Sequence, residues 1–200
     1  MNTVPTTVRA LVERSALARA SAAYALATES EVELTHADLE RACRRVTALL
    51  QRHGVAVGDT VSVVMPNGLN TLRVLLGTMW GGRCINPVNL LSQPEQMRYV
   101  IAHSDCKLVI VAPEWESRVN AIVATLERPV MLIVADPDAL ELPGEDAAAD
   151  TSADPQPPAA DALALLMYTS GTTGQPKGVM LTQANLAANA QAIGAEHALT

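Results

Sequence analysis

Leu165–Leu181 reads LLMYTSGTTGQPKGVML. An apolar run stops at a cluster of glycines and small hydroxyl residues. A lone Lys177 follows, and a second apolar run resumes at Val179. The flanks are strand-like, and Thr182 then offers a helix cap ahead of QANLAANAQAIG, which puts Leu186, Ala190 and Ile193 on one face. The glycine- and hydroxyl-rich segment therefore joins two strands just before a helix.

The chemistry of TSGTTGQPKG points to an anion. Gly171, Gly174 and Gly178 allow positive φ, which lets backbone N–H groups converge on one charge. Thr169, Ser170, Thr172 and Thr173 add hydroxyl donors, and Lys177 adds a compact cation suited to phosphate. Each hydrogen bond to a charged group contributes about 1.5–3 kcal/mol, so a few of them hold a polyphosphate. A Walker A loop requires G-x-x-x-x-G-K-[ST]. Counted from Gly171, the second glycine position is Pro176, and Gly178 stands after the lysine, so the pattern fails. The kinase G-x-G-x-x-G pattern fails as well. A surface turn without a ligand is the plain alternative for any Gly/Ser/Thr loop.

Upstream, helix and strand patterns alternate. Val8, Leu11, Val12 and Ala16 mark an opening helix, and YALATESEVELTHADL reads as a short hairpin running into a helix start capped by Thr35 and Asp38. Leu39, Cys43, Val46 and Leu50 stripe that helix, and Gly54 ends it in a left-handed cap. TVSVVM (60–65) is a strand, followed by a helix over PNGLNTLRVLLGTMWGG with Asn67 as its expected cap. CINPV is a short buried strand. Ser92 and Glu95 match a capping box, with Pro94 in the first turn. KLVIV, PEWESRVNAIVATL and PVMLIVA continue as strand, helix and strand. These strands lack polar alternation, as strands covered on both faces do. The expected fold class is α/β, a mostly parallel sheet flanked by helices. Trp80 and Trp115 read as packing residues, and Arg73, Arg83 and Arg98 as helix-face or boundary charges. Asn86 and Asn89, flanking Pro87, read as turn residues.

Residues 136–161 differ sharply, with eight Asp or Glu, five Pro and no Lys or Arg. This composition predicts a solvated loop or linker; an acidic docking segment is the alternative. The chain thus divides into an α/β part (1–135), the acidic Pro-rich segment (136–161) and the strand–loop–strand with its helix (162–200).

A net charge of −7 argues against a nucleic-acid surface, while leaving room for one local phosphate site. The longest apolar run is far short of a membrane span, and the N-terminal stretch has no hydrophobic signal core. The cytoplasm is the default location. Cys43, Cys84 and Cys106 show no C-x-x-C or Cys/His spacing, so they read as buried reduced thiols and no metal site is expected. His36, His53, His103 and His197 read as structural or solvated.

YTSGTTGQPKGVMLTQANL (168–186) resembles the phosphate-binding signature of the adenylate-forming, or AMP-binding, superfamily of acyl- and aryl-CoA ligases, peptide-synthetase adenylation domains and luciferases. The resemblance extends over LTHADLERACRRVTALLQRHGVAVGDTVSVVMPNG and LGTMWGGRCINPVNLLSQPEQMRYVIAHSDCKLVIV, so it covers nearly the whole chain. INPVNLLSQPEQ is closer to acyl-CoA ligases than to peptide-synthetase domains. The resemblance implies a partial N-terminal domain of such an enzyme. It implies ATP with Mg2+, a small-molecule carboxylic acid and coenzyme A as reactants. It also implies that Thr169, Ser170, Gly171, Thr172, Thr173, Gly174 and Lys177 hold the β- and γ-phosphates. The family's adenine, ribose and lysine motifs are absent here, so catalytic residues are expected beyond Thr200, in a C-terminal portion of the same enzyme. By this reading the 200 residues are inactive alone. The alternatives are a non-catalytic nucleotide- or partner-binding module and a fragment of a peptide-synthetase adenylation domain.

Overall fold

A computed structural model describes residues 4–27, 31–151, 155–169 and 175–197. The elements are α1 (Val8–Arg19), β1 (Ala23–Ala27), β2 (Val32–Thr35), α2 (His36–Arg52), β3 (Thr60–Val64), α3 (Leu69–Trp80), β4 (Cys84–Pro87) and α4 (Pro94–His103). They continue with β5 (Leu108–Val111), α5 (Pro113–Val123), β6 (Met131–Val134), a 3-10 turn (Ala147–Thr151), β7 (Leu163–Thr169), β8 (Lys177–Thr182) and α6 (Gln183–Glu196).

β1 and β2 form a small antiparallel hairpin. The other six strands form one sheet in the order β6-β5-β3-β4-β7-β8, parallel except for the final β7–β8 pair. β7 pairs with β4, so the segment carrying the glycine-rich stretch continues the sheet built by the first 135 residues.

Alternate residues of the central strands pack into two cores. Val61, Val63, Ile85, Leu108 and Ile110 meet Leu39, Val46, Leu50 and Val74 of α2 and α3. Val64, Val109 and Val111 meet Met97, Ile101 and Val119 of α4 and α5. Period-2 geometry sends neighbours to opposite faces, and both faces are covered, which is why these runs carry no polar alternation. α2 and α3 cross closely. A Cβ added at Gly77 would stand 2.7 Å from the Val46 Cβ, so only glycine fits there. The aliphatic core is completed by Trp80, fully buried, with the Arg9 guanidinium 4.1 Å over its ring.

The caps at Thr35–Asp38 and Thr182–Asn185 form as boxes, and Gly54 adopts φ 70° after α2. Two expected caps move. α4 starts from Gln93, whose N–H is 3.3 Å from Gln96 Oε1, because Pro94 supplies the first helical φ and places Ser92 in the preceding turn. α3 starts from Gly68 rather than Asn67, and its Asn70 N–H donates to the Pro137 carbonyl at 2.8 Å. An acceptor from a distant segment replaces the side-chain cap.

That segment is largely an exposed loop, as its composition predicts, but it is anchored at several points. Arg45 on α2 grips Asp150 through Nε (2.7 Å) and Nη2 (2.8 Å) and reaches Glu141 through Nη1 (2.8 Å). Arg52 donates to the Gly144 carbonyl. Arg73 on α3 donates to Glu145 Oε2 at 2.6 Å, with side chains only 2% and 1% exposed. Leu142 and Ala149 are buried alongside. Residues 136–151 are therefore fastened to the body by the arginines of α2 and α3.

Arg73 and Arg83 are accordingly not face charges: both are buried, Arg83 donating to the Val55 and Gly81 carbonyls. Burial lowers the affinity of the Arg83 guanidinium for its proton. Asn86 is likewise buried within β4, donating from Nδ2 to Ser62 Oγ at 2.8 Å, whereas Asn89 does form the expected turn, accepting from Leu91 N–H. All three cysteines are buried and free, and desolvation pushes the Cys84 thiol up to about 11. Among the described residues no helix is long and apolar enough to cross a membrane.

Candidate functional site

β7 and β8 form an antiparallel arm whose last registered pair is Thr169 opposite Lys177. Both are exposed, and they frame the mouth of the glycine-rich stretch. Ser170, Gly171, Thr172, Thr173 and Gly174 lie outside the described residues.

The parallel strands β3 to β7 all point their carboxyl ends toward this mouth, and ligands of open α/β sheets bind in crevices at that edge. A cleft of about 360 Å³ opens there between the arm and the β4–α4 connection. Met167, Tyr168, Thr169 and Pro176 line one wall, and Asn89, Ser92 and Gln96 supply polar groups on the other. Among the described residues the lining carries no charged side chain. A charged ligand in the cleft would meet no competing carboxylate in the described wall, and Lys177 stands opposite Thr169 on the neighbouring strand. No three His, Cys, Asp or Glu side chains gather as a metal site among the described residues.

α6 anchors the base of the arm from the other face. Gln183, fully buried, accepts from the Val8 N–H (3.0 Å) and donates to the Met79 carbonyl (2.8 Å), tying β8 and α6 to α1 and α3. The inward side of α6 is Gln183 and Ala187, with Leu186 partly packed; Ala190 and Ile193 face outward, contrary to the expected stripe. The reason is the Gln183 strut, which turns the helix so that its i, i+4 row rather than Ile193 meets α1.

One group at this site was not anticipated. Tyr168, next to Thr169, places its hydroxyl 2.7 Å from His103 Nδ1 at the end of α4. Tyr99, one turn earlier, stacks on His103 with centroids 5.2 Å apart and meets Tyr168 edge-on at 6.5 Å. Burial, and then proximity to Tyr99, pushes the Tyr168 phenol up to about 12, so it keeps its proton. The available signal was scarcity: the chain has three tyrosines, and two of them meet here.

The chain matches the AMP-binding enzyme family over residues 1–199. It is 45% identical over 176 residues to sulfoacetate–CoA ligase of Cupriavidus necator, a match covering 88% of this chain and 35% of that protein. Its fold is similar to that of ATP-bound MatB from Rhodopseudomonas palustris, with a TM-score of 0.77 and 25% identity over 95% of this chain and 37% of the other. It is also similar to that of an anthranilate CoA ligase in complex with anthranoyl-AMP, with a TM-score of 0.82 and 19% identity over 96% and 36%. The chain spans about a third of the length of the CoA ligases it matches. With its parallel sheet, its signature arm and a family match over nearly its full length, the chain belongs to the AMP-binding enzyme family.

Proposed function

We propose that this chain is the N-terminal part of an ATP-dependent carboxylic acid–CoA ligase, and that its β7–β8 arm holds the β- and γ-phosphates of ATP. A carboxylate oxygen of the acid attacks the α-phosphorus, and the bond to pyrophosphate breaks, giving an acyl-adenylate. The thiol sulfur of coenzyme A then attacks the acyl carbon. AMP leaves with the former carboxylate oxygen, and the thiol proton passes to solvent or a base. The observation that carries this reading is the position of the arm: Thr169 and Lys177 face each other at the carboxyl edge of the parallel sheet, and the cleft that Thr169 lines carries no carboxylate among the described residues.

In this reading Thr169, Ser170, Thr172 and Thr173 donate hydroxyls, Gly171 and Gly174 let backbone amides approach, and Lys177 neutralises charge as pyrophosphate forms. Mg2+ arrives with the triphosphate, because Mg2+ is commonly held through substrate phosphates and the described lining offers it no carboxylate. The groups that act on the α-phosphate and the acyl carbon belong to a C-terminal portion. Exposed Val179 and Met180 on the edge strand β8, the latter 69% exposed, support a covering segment there. The requirement for ATP and coenzyme A, and the buried reduced thiols, support a cytoplasmic location. The segments 1–135, 136–161 and 162–200 are proposed as body, docked acidic strap and phosphate-binding unit.

The test is acid-dependent exchange of pyrophosphate into ATP by the longer enzyme that contains this chain, the native protein of the assays below, starting with sulfoacetate, the acid named for the 45% relative. Lys177→Ala should cut kcat/KM for ATP about ten- to a hundredfold, the loss of one charged hydrogen bond. Unchanged exchange in that variant removes the assigned role. Transfer of the acyl group to a carrier protein instead of coenzyme A would favour a peptide-synthetase domain. Nucleotide binding without exchange would favour a non-catalytic module.

A further inference from the structure

The arm that carries the signature extends past the sheet that supports it. On its β4 side the registered ladder pair is Ile85 with Leu165, and β4 ends at Pro87, which has no N–H to give. On its other side β8 is the sheet edge among the described residues. From Leu166 to Thr169 the arm is therefore held mainly by its own hairpin pairs. Two strands alone are marginal in water, so the angle of the arm over the cleft needs a further support.

The structure supplies one at the right place. Tyr168 projects to the α4 and α5 side, packs partly against that core, and meets His103 Nδ1 through its hydroxyl at 2.7 Å. The His103 ring is set by Tyr99 stacked on it at 29° and 5.2 Å, and Tyr168 stands perpendicular to His103 at 5.7 Å. α4 itself is fixed by fully buried Met97 and Ile101, and its C-terminal carbonyls at Ile101 and Ala102 accept from Arg128 Nη2 at 3.0 and 3.4 Å. The support runs from the core outward: α4, then Tyr99, then His103, then Tyr168, which adjoins Thr169 in the signature. Burial keeps the Tyr168 phenol protonated at neutral pH, so its hydroxyl is available to His103 Nδ1.

We propose that His103 is a positioning residue for the phosphate-binding arm, acting through the Tyr168 hydroxyl to hold the signature at its working angle over the cleft. The inference rests on the ligase reading for its kinetic consequence and on the arm's geometry alone for its structural one. Neither residue touches the reacting atoms in this account; His103 sets where the touching residues stand.

The test uses four variants of the native protein. His103→Phe keeps the ring stack and loses Nδ1. Tyr168→Phe loses the hydroxyl. The double variant loses both ends of one bond. His103→Asn keeps a polar atom where Nδ1 stood. In pyrophosphate exchange, each single Phe variant should raise KM for ATP about two- to tenfold, the worth of one hydrogen bond, with KM for the acid unchanged. The double variant should match a single one, because both act through one contact, and His103→Asn should recover most of the loss. Multiplying effects in the double variant, or an equal rise in both KM values, would overturn the proposal. A second readout needs no nucleotide: amide hydrogen exchange across 165–181 should quicken in both Phe variants and not elsewhere. Unchanged exchange there overturns the positioning role even if the ligase reading stands. Quickened exchange in a protein that activates no acid supports the positioning role while the ligase reading fails.

Discussion

Glu145→Ala isolates the claim that the acidic segment is part of the folded body. The Glu145 and Arg73 side chains are 1% and 2% exposed, with Oε2 and Nη2 at 2.6 Å. Glu145 Oε1 also accepts the Leu142 N–H at 3.0 Å, and Arg73 Nη1 donates to Asn70 Oδ1 at 3.0 Å. Removing the carboxylate leaves a buried guanidinium facing one neutral amide oxygen. Breaking a buried pair from one side costs about 3–5 kcal/mol. A cooperative unit of this size loses about 2–4 °C of Tm per kcal/mol, so the midpoint should fall by roughly 6–20 °C. The pair's own net contribution is a separate quantity. Arg73→Met with Glu145→Leu removes both charges and should recover most of the loss, since an apolar replacement of a buried pair is often neutral. Urea and thermal unfolding of the native protein, Glu145→Ala, the singles Arg73→Met and Glu145→Leu, and the double variant, followed by circular dichroism, complete the cycle. A solvated acidic loop would instead place Glu145→Ala within about 0.5 kcal/mol of the parent. A loss below about 1 kcal/mol, or a double variant as unstable as the sum of the singles, refutes the reasoning.

Gly77→Ala gains helix propensity of up to about 1 kcal/mol, yet its Cβ would stand 2.7 Å from Val46 Cβ and 3.3 Å from Cys43 Cα. Overpacking between α2 and α3 should win, with a net loss of about 1–3 kcal/mol in the same unfolding assay. Hydrogen bonding to Arg45 holds the Asp150 carboxyl below the usual carboxylate range. Its folded-state value is depressed, so its contribution is complete above the unfolded value near 3.9 and is lost as pH falls through the folded value. The urea midpoint should therefore drop below about pH 4, and by less in Arg45→Met, which has no such contribution to lose.

Much of this architecture is written locally. The alternation of LVIV-type strands with helices, the Thr35 and Thr182 caps and the Gly54 stop all form where their spacing places them. What could not be read is held by partners far along the chain. The charges of 136–151 look solvated by composition, because composition counts acids and not the arginines they meet across 72 to 105 residues. Arg73 carried a faint signal as the one charge in LNTLRVLLGTMW, a helix otherwise without charge, where burial demands a partner. At the site, Thr169 and Lys177 were marked by their motif, and the hairpin sets them opposite each other. The His103–Tyr168 contact spans 65 residues and exists because β4, which leads into α4, pairs with β7. Neither residue's local pattern contains that adjacency.

The central claim is that the β7–β8 arm is a polyphosphate grip in an adenylate-forming ligase. Acid-dependent exchange of labelled pyrophosphate into ATP by the native protein, compared with Lys177→Ala, tests it most directly. The account predicts exchange that requires a carboxylic acid and falls about ten- to a hundredfold in kcat/KM for ATP when the lysine is removed. Exchange that ignores Lys177, or a full-length enzyme that binds ATP and activates no acid, would contradict it.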